Sequence, residues 1–113
     1  MKINIKKPSR KFRVGSNKKL TISHVASLKL KSNEQITFVD SEKKEYDVVK
    51  KSWGYYATPS VNDRLKKNNY KTAIVKNKKK QIYVMIVKKK SLKLFEKYIK
   101  THENKILYWL DDK

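Results

Sequence analysis

Trp53-Gly54-Tyr55-Tyr56-Ala57-Thr58-Pro59-Ser60-Val61-Asn62-Asp63-Arg64 is the stretch from which the fold of this chain is read. Elsewhere lysines punctuate short apolar runs, but none falls between Lys51 and Lys66. Gly54 permits a backbone angle that other residues resist, and Pro59 pushes Thr58 toward an extended conformation. Ser60 followed by Asp63 is an acidic variant of the capping box, so a helix is predicted from Val61 to Lys67. The stretch therefore reads as a strand exit, an aromatic loop and a helix start. Junctions of this kind often hold binding residues, because backbone N–H groups point out of a helix start.

Before this junction, residues 1 to 10 are basic, contain Pro8 and show no sustained period, which predicts a flexible arm. Phe12 and Val14 alternate with Lys11 and Arg13 as a short strand ended by Gly15-Ser16-Asn17. From Leu20 to Leu30 the even positions are apolar apart from His24, and Val25 is the apolar exception among the odd ones, the pattern of a long strand with one buried face. Ser32-Asn33 turns the chain. Ile36 and Phe38 form another strand, and Tyr46 to Val49 returns after a polar turn.

After the junction, Tyr70 to Val75 reads as a strand and Asn77-Lys78-Lys79-Lys80 as a turn. Ile82 to Val87 is an unbroken apolar run rich in β-branched residues, suited to a strand covered on both faces. Leu92, Phe95, Tyr98 and Ile99 recur at helical spacing behind Ser91, giving an amphipathic helix with a serine cap. Ile106 to Leu110 closes the chain as a mostly buried strand. The expected fold class is α+β: a mostly antiparallel sheet with two helices in a single domain over residues 11–113. The order from Tyr46 onward suggests a ferredoxin-like βαββαβ unit preceded by about three N-terminal strands.

Composition narrows the chemistry. There is no cysteine, which excludes disulfides, thiolate metal sites and cysteine nucleophiles. No run approaches the roughly 20 apolar residues of a membrane helix. The N-terminus lacks the apolar core of a signal peptide, so the cytoplasm is the expected compartment. His24 and His102 have no partner at a metal-ligand spacing and read as packing histidines, so neither a metal nor another cofactor is expected. Ser60 lies outside a nucleophile elbow, and two glycines cannot build a phosphate-cradling loop. Asp111-Asp112 reads as a solvated tail. Nothing in the sequence points to an enzyme.

Charge is the loudest signal: 30 basic and 10 acidic residues give a net charge of +20. Arginine is confined to Arg10, Arg13 and Arg64, so base-edge readout is not favoured. The lysines cluster at predicted turns and element ends: Lys50-Lys51, Lys66-Lys67, Lys78-Lys79-Lys80 and Lys88-Lys89-Lys90, with further pairs including Lys18-Lys19. Gathered at one end of the fold they would form a positive rim for phosphates. Scattered, they would be solvated turns that protect strand edges.

A second candidate site is the junction itself. Trp53, Tyr55 and Tyr56 are possible stacking platforms. Thr58, Ser60, Asn62 and Arg64 could receive a phosphate, carboxylate or sugar. The plainer alternative is that these residues lock the loop.

Glu34-Gln35-Ile36-Thr37-Phe38, Glu45-Tyr46-Asp47, the Trp53 to Ser60 block and Arg64-Leu65 together resemble a small bacterial family of unassigned function. The resemblance covers roughly Phe12 to Asp111. It implies an accessory role beside surface-polysaccharide enzymes, with an anionic sugar, a sugar nucleotide or a glycan-assembly enzyme as partner, and it brings no catalytic residue. The residues themselves favour a non-catalytic module that binds a polyanion, nucleic acid foremost. A module docking on an acidic protein is a third possibility.

Overall fold

The computed structural model describes residues 1–15 and 20–112. The chain is α+β, and every strand pairing in it is antiparallel. It divides into two compact units, Met1–Thr58 and Pro59–Lys113, where the sequence predicts one domain. No helix among the described residues is long and apolar enough to cross a membrane.

The first unit holds two sheets. Strands β1 (Lys2–Val14) and β2 (Leu20–Lys29) form a two-stranded hairpin. Residues 1–10, predicted as a loose arm, therefore belong almost wholly to a strand. The arm-like appearance has a physical origin in the register. Ile3 and Ile5 pair with Leu28 and Ala26, whereas Phe12 and Val14 pair with Ile22 and Leu20. Apolar residues thus sit at odd positions before an irregularity between Ile5 and Arg10, and at even positions after it. The extra residues flip the phase and return both pairs to one face. Pro8, which has no N–H to give a ladder, lies inside that irregularity.

The buried face predicted for β2 is corrected. His24 and Ala26 are half-buried, but Leu20, Ile22 and Leu28 are exposed. A two-stranded ribbon has no second layer of its own to cover its apolar side. The turn at Ser16-Asn17 and the pair Lys18-Lys19 lie outside the described residues.

The second sheet of this unit has the order β3-β4-β5, with β3 Gln35–Val39, β4 Glu45–Lys51 and β5 Gly54–Ala57. Asp47 and Val49 are its buried positions and share one face of β4, as a period of two requires.

In the second unit, helix α1 (Arg64–Lys67) precedes a sheet ordered β7-β6-β8. Its strands are β6 (Tyr70–Lys76), β7 (Ile82–Lys88) and β8 (Lys105–Trp109), and helix α2 (Leu92–Thr101) joins the last two. Ala73 and Val75 of the central strand are fully buried against Ile99, with Met85, Phe95, Ile106 and Trp109 around them. Phe95 meets Trp109 edge-to-face at 5.8 Å.

Four expectations are revised here. The βαββαβ unit does not form, because β4 lies in a sheet with β3 and β5 while β6 pairs with both β7 and β8. Helix α1 is a single turn: Ser60 O accepts the Leu65 N–H at 3.0 Å and Ser60 Oγ accepts the Arg64 N–H at 3.0 Å. These bonds hold residues 61–63 as a turn rather than as helix. Strand β7 is not covered on both faces along its length, since Ile82, Tyr83 and Val84 at its start are exposed, and β8 leaves Leu107 and Tyr108 exposed. Lastly, Asp111 is no solvated tail; only 2% of it is exposed.

Candidate functional site

The aromatic stretch forms the tip of the β4–β5 hairpin. Lys51 pairs with Gly54 across a two-residue turn, Ser52-Trp53. Gly54 has φ +144°, and a Cβ there would meet no atom within 4 Å. Glycine is therefore needed for its backbone angle and not for space.

The register then distributes the rings. Tyr55 lies opposite Lys50, and Tyr56 opposite Val49, so the two tyrosines point to opposite faces. On one face the Lys50 Nζ stands 5.2 Å over the Tyr55 ring. On the other, Trp53 stacks on Tyr56 with ring centres 6.0 Å apart and planes 18° from parallel. Trp53 is 69% exposed and Tyr55 65%, and Tyr56 is exposed as well.

The two lysines beside the rings are held in place. Lys50 Nζ donates to the Lys51 carbonyl and Lys51 Nζ to Asn33 Oδ1, each at 2.6 Å. Asn33 N–H donates to the Lys50 carbonyl at 2.7 Å, and Lys50 N–H to the Glu34 carbonyl at 3.0 Å. These acceptors are neutral, so the bonds orient both ammonium groups without cancelling their charge.

Below the tip, Asp47 anchors the sheet. Its carboxylate accepts the Thr37 hydroxyl at 2.6 Å and the Thr58 hydroxyl at 3.3 Å, and its carbonyl accepts the Thr58 N–H at 2.9 Å. Thr58 therefore serves the strand exit rather than presenting its hydroxyl to a ligand. Ser60 Oγ is likewise engaged, by the Arg64 N–H. Asn62, in the turn before α1, and Arg64, its first residue, are exposed. Of the candidate ligand residues, Trp53, Tyr55, Tyr56 and Thr58 belong to the first unit, and Ser60, Asn62 and Arg64 to the second. Within one unit the tip holds two pairs back to back, Trp53 stacked on Tyr56 on one face and Tyr55 under Lys50 on the other. Asp47 was missed in the sequence, although its place two residues before Val49 on an alternating strand marks it as inward-facing.

The remaining lysines do not form one rim. Lys66 and Lys67 on α1 and the Lys88-Lys89-Lys90 segment meet at one end of the second unit's sheet, joined by a 2.8 Å bond from Lys89 N–H to the Asn69 carbonyl. Lys78, Lys79 and Lys80 occupy the β6–β7 turn at the other end. Several of these cations already have partners: Lys67 pairs with Asp63 and Lys78 with Glu103, each at 2.9 Å. The hydrogen bond from Lys78, helped by its charge, holds Glu103 below the ordinary carboxylate range and raises Lys78 in turn.

A partly buried ion pair, with its carboxylate buried, lies elsewhere in this unit. Asp111 Oδ2 takes a 2.9 Å bond from Lys71 Nζ, and Oδ1 takes the Thr72 N–H at 3.2 Å. Lys71 also sits 4.9 Å over the Trp109 ring. Among the described residues no group of histidine, aspartate and glutamate side chains could hold a metal ion. Comparison with family models, with curated proteins and with solved structures returned no match.

Proposed function

We propose that this chain is a non-catalytic module of the cytoplasm that binds single-stranded nucleic acid, with the β4–β5 tip as the stacking platform. The observation that carries this reading is the exposure of Trp53, Tyr55 and Tyr56 beside the oriented ammonium groups of Lys50 and Lys51. Every base has a π-face, so stacking on rings tolerates any sequence, and lysines supply phosphate affinity without bidentate readout. The net positive charge of the second unit's lysines adds sequence-independent attraction for nucleic acid.

The test is a titration of labelled single-stranded RNA and DNA against the chain, with Tyr55→Ala and Tyr56→Ala beside the parent. Each substitution is expected to weaken binding by about 1–3 kcal/mol. Unchanged binding in both variants would remove the aromatic tip from the interface. Binding of a sugar nucleotide that depends on Trp53 and Tyr56 but hardly on salt would instead favour the accessory role in surface-polysaccharide assembly.

A further inference from the structure

The β1–β2 hairpin offers a second surface, independent of the aromatic tip. Its apolar side is open: Ile3 is 56% and Ile5 60% exposed, and Phe12, Ile22 and Leu28 are exposed beside them. The register places all five on one face. Lys2, Lys11, Arg13 and Lys29 alternate onto the opposite face, at the pairs Lys2–Lys29, Lys11–Ser23 and Arg13–Thr21. Arg10 stands on the apolar side, 5.8 Å over the Phe12 ring. Every charged residue from Met1 to Asn33 is basic.

Those two properties together select the occupant. A second copy of the chain would bring two wholly cationic ribbons together, and their repulsion opposes that pairing. A nucleic acid would satisfy the cations and leave the apolar side in water. An anionic bilayer surface answers both: apolar side chains enter the boundary between headgroups and acyl chains, while long lysine and arginine stems reach the phosphates.

We propose that the β1–β2 hairpin seats the protein on a bilayer containing anionic lipid, apolar face down. The test is co-sedimentation of the full chain with vesicles of phosphatidylcholine, with and without phosphatidylglycerol. Binding is expected to the mixed vesicles and not to phosphatidylcholine alone. Ile5→Ser combined with Phe12→Ser should lower partitioning at least about tenfold, since each removes a side chain that enters the apolar boundary. Lys11→Ser combined with Arg13→Ser should lower it about thirtyfold. Val25→Ser, on the opposite face of the same strand pair, should change nothing and serves as the control for hairpin integrity.

Three results would overturn the proposal. One is absence of binding to the anionic vesicles. Another is an equal loss in Val25→Ser and in the apolar double variant, which would report a disrupted ribbon instead of a lost contact. The last is a dimer in solution that the apolar double variant dissociates, which would make a second copy the occupant.

Discussion

Asp111 lies 40 positions from Lys71 and 39 from Thr72, and it binds both. Burial by itself raises a carboxyl group, but here the Lys71 bond and the Thr72 N–H outweigh it and hold Asp111 below its ordinary value. The sign of the pH dependence follows. A lowered folded value means that the stabilisation is complete above the unfolded value, near 3.9, and fades as the pH falls through the folded one. Asp111→Ala should cost about 3 kcal/mol at neutral pH, because it leaves a buried N–H and an ammonium group without their acceptor. Urea titrations should show the gap between parent and variant closing as the pH is lowered from about 5 toward 2. Thr72 poses the opposite case. Its hydroxyl is fully buried and meets no hydrogen-bond partner among the described residues, while its backbone N–H is satisfied. Thr72→Val replaces that hydroxyl with a methyl group and should stabilise the protein by about 1 kcal/mol, read as a higher urea midpoint.

At the scale of elements, the apolar spacing of α2 (Leu92–Thr101) was legible, but its expected serine cap is corrected: Ser91 makes no side-chain capping bond and ends a 3-10 turn, Lys89–Ser91, that leads into the helix. Its apolar residues recur at helical spacing, and Ile99 and Phe95 enter the core as that spacing requires. Ile99→Ala should therefore cost about 3 kcal/mol in chemical denaturation. Leu94→Ala, on the exposed side of the same helix, should stay within about 0.5 kcal/mol. Strands β3, β4, β6 and β7 were equally legible, because alternation or a β-branched run marks each. Strand β1 was not, because its apolar phase changes between Ile5 and Arg10, and a period broken in the middle reads as no period. The extent of α1 was overestimated for a different reason. Ser60 does act near the helix start, but its bonds to Arg64 and Leu65 secure a turn, and a serine–aspartate spacing cannot separate the two. In the candidate site, the sequence reads an aromatic loop, whereas Gly54 to Ala57 form a strand that pairs with β4; only the need for glycine at position 54 was legible. The engagement of Thr58 by Asp47 was not, since it depends on a strand pairing across 11 positions.

For the whole molecule, charge and its placement decide what can bind. A net charge of +20 guarantees attraction to any polyanion, so affinity alone identifies nothing. The lysines lie at both ends of the second unit's sheet and beside the tip of β5, and several already hold carboxylates, so they supply a diffuse attraction. On the proposed function, selectivity for single strands would come from the rings. The coverage of strand faces was the least legible property at this scale. A continuous run such as Ile82 to Val87 states that a strand is apolar, but it does not state whether a second layer exists to cover it.

The most direct test is equilibrium binding of the full chain to labelled single-stranded RNA at 50 and 200 mM salt, with Tyr55→Ala measured in parallel. Contacts to six or more phosphates should weaken binding about a thousandfold between the two concentrations. The loss from Tyr55→Ala, about 1–3 kcal/mol, should persist at both, because stacking is not screened. Absence of binding at physiological salt would contradict the nucleic-acid reading outright. Salt-dependent binding to which Tyr55, Tyr56 and Trp53 contribute nothing would contradict the role assigned to the β4–β5 tip.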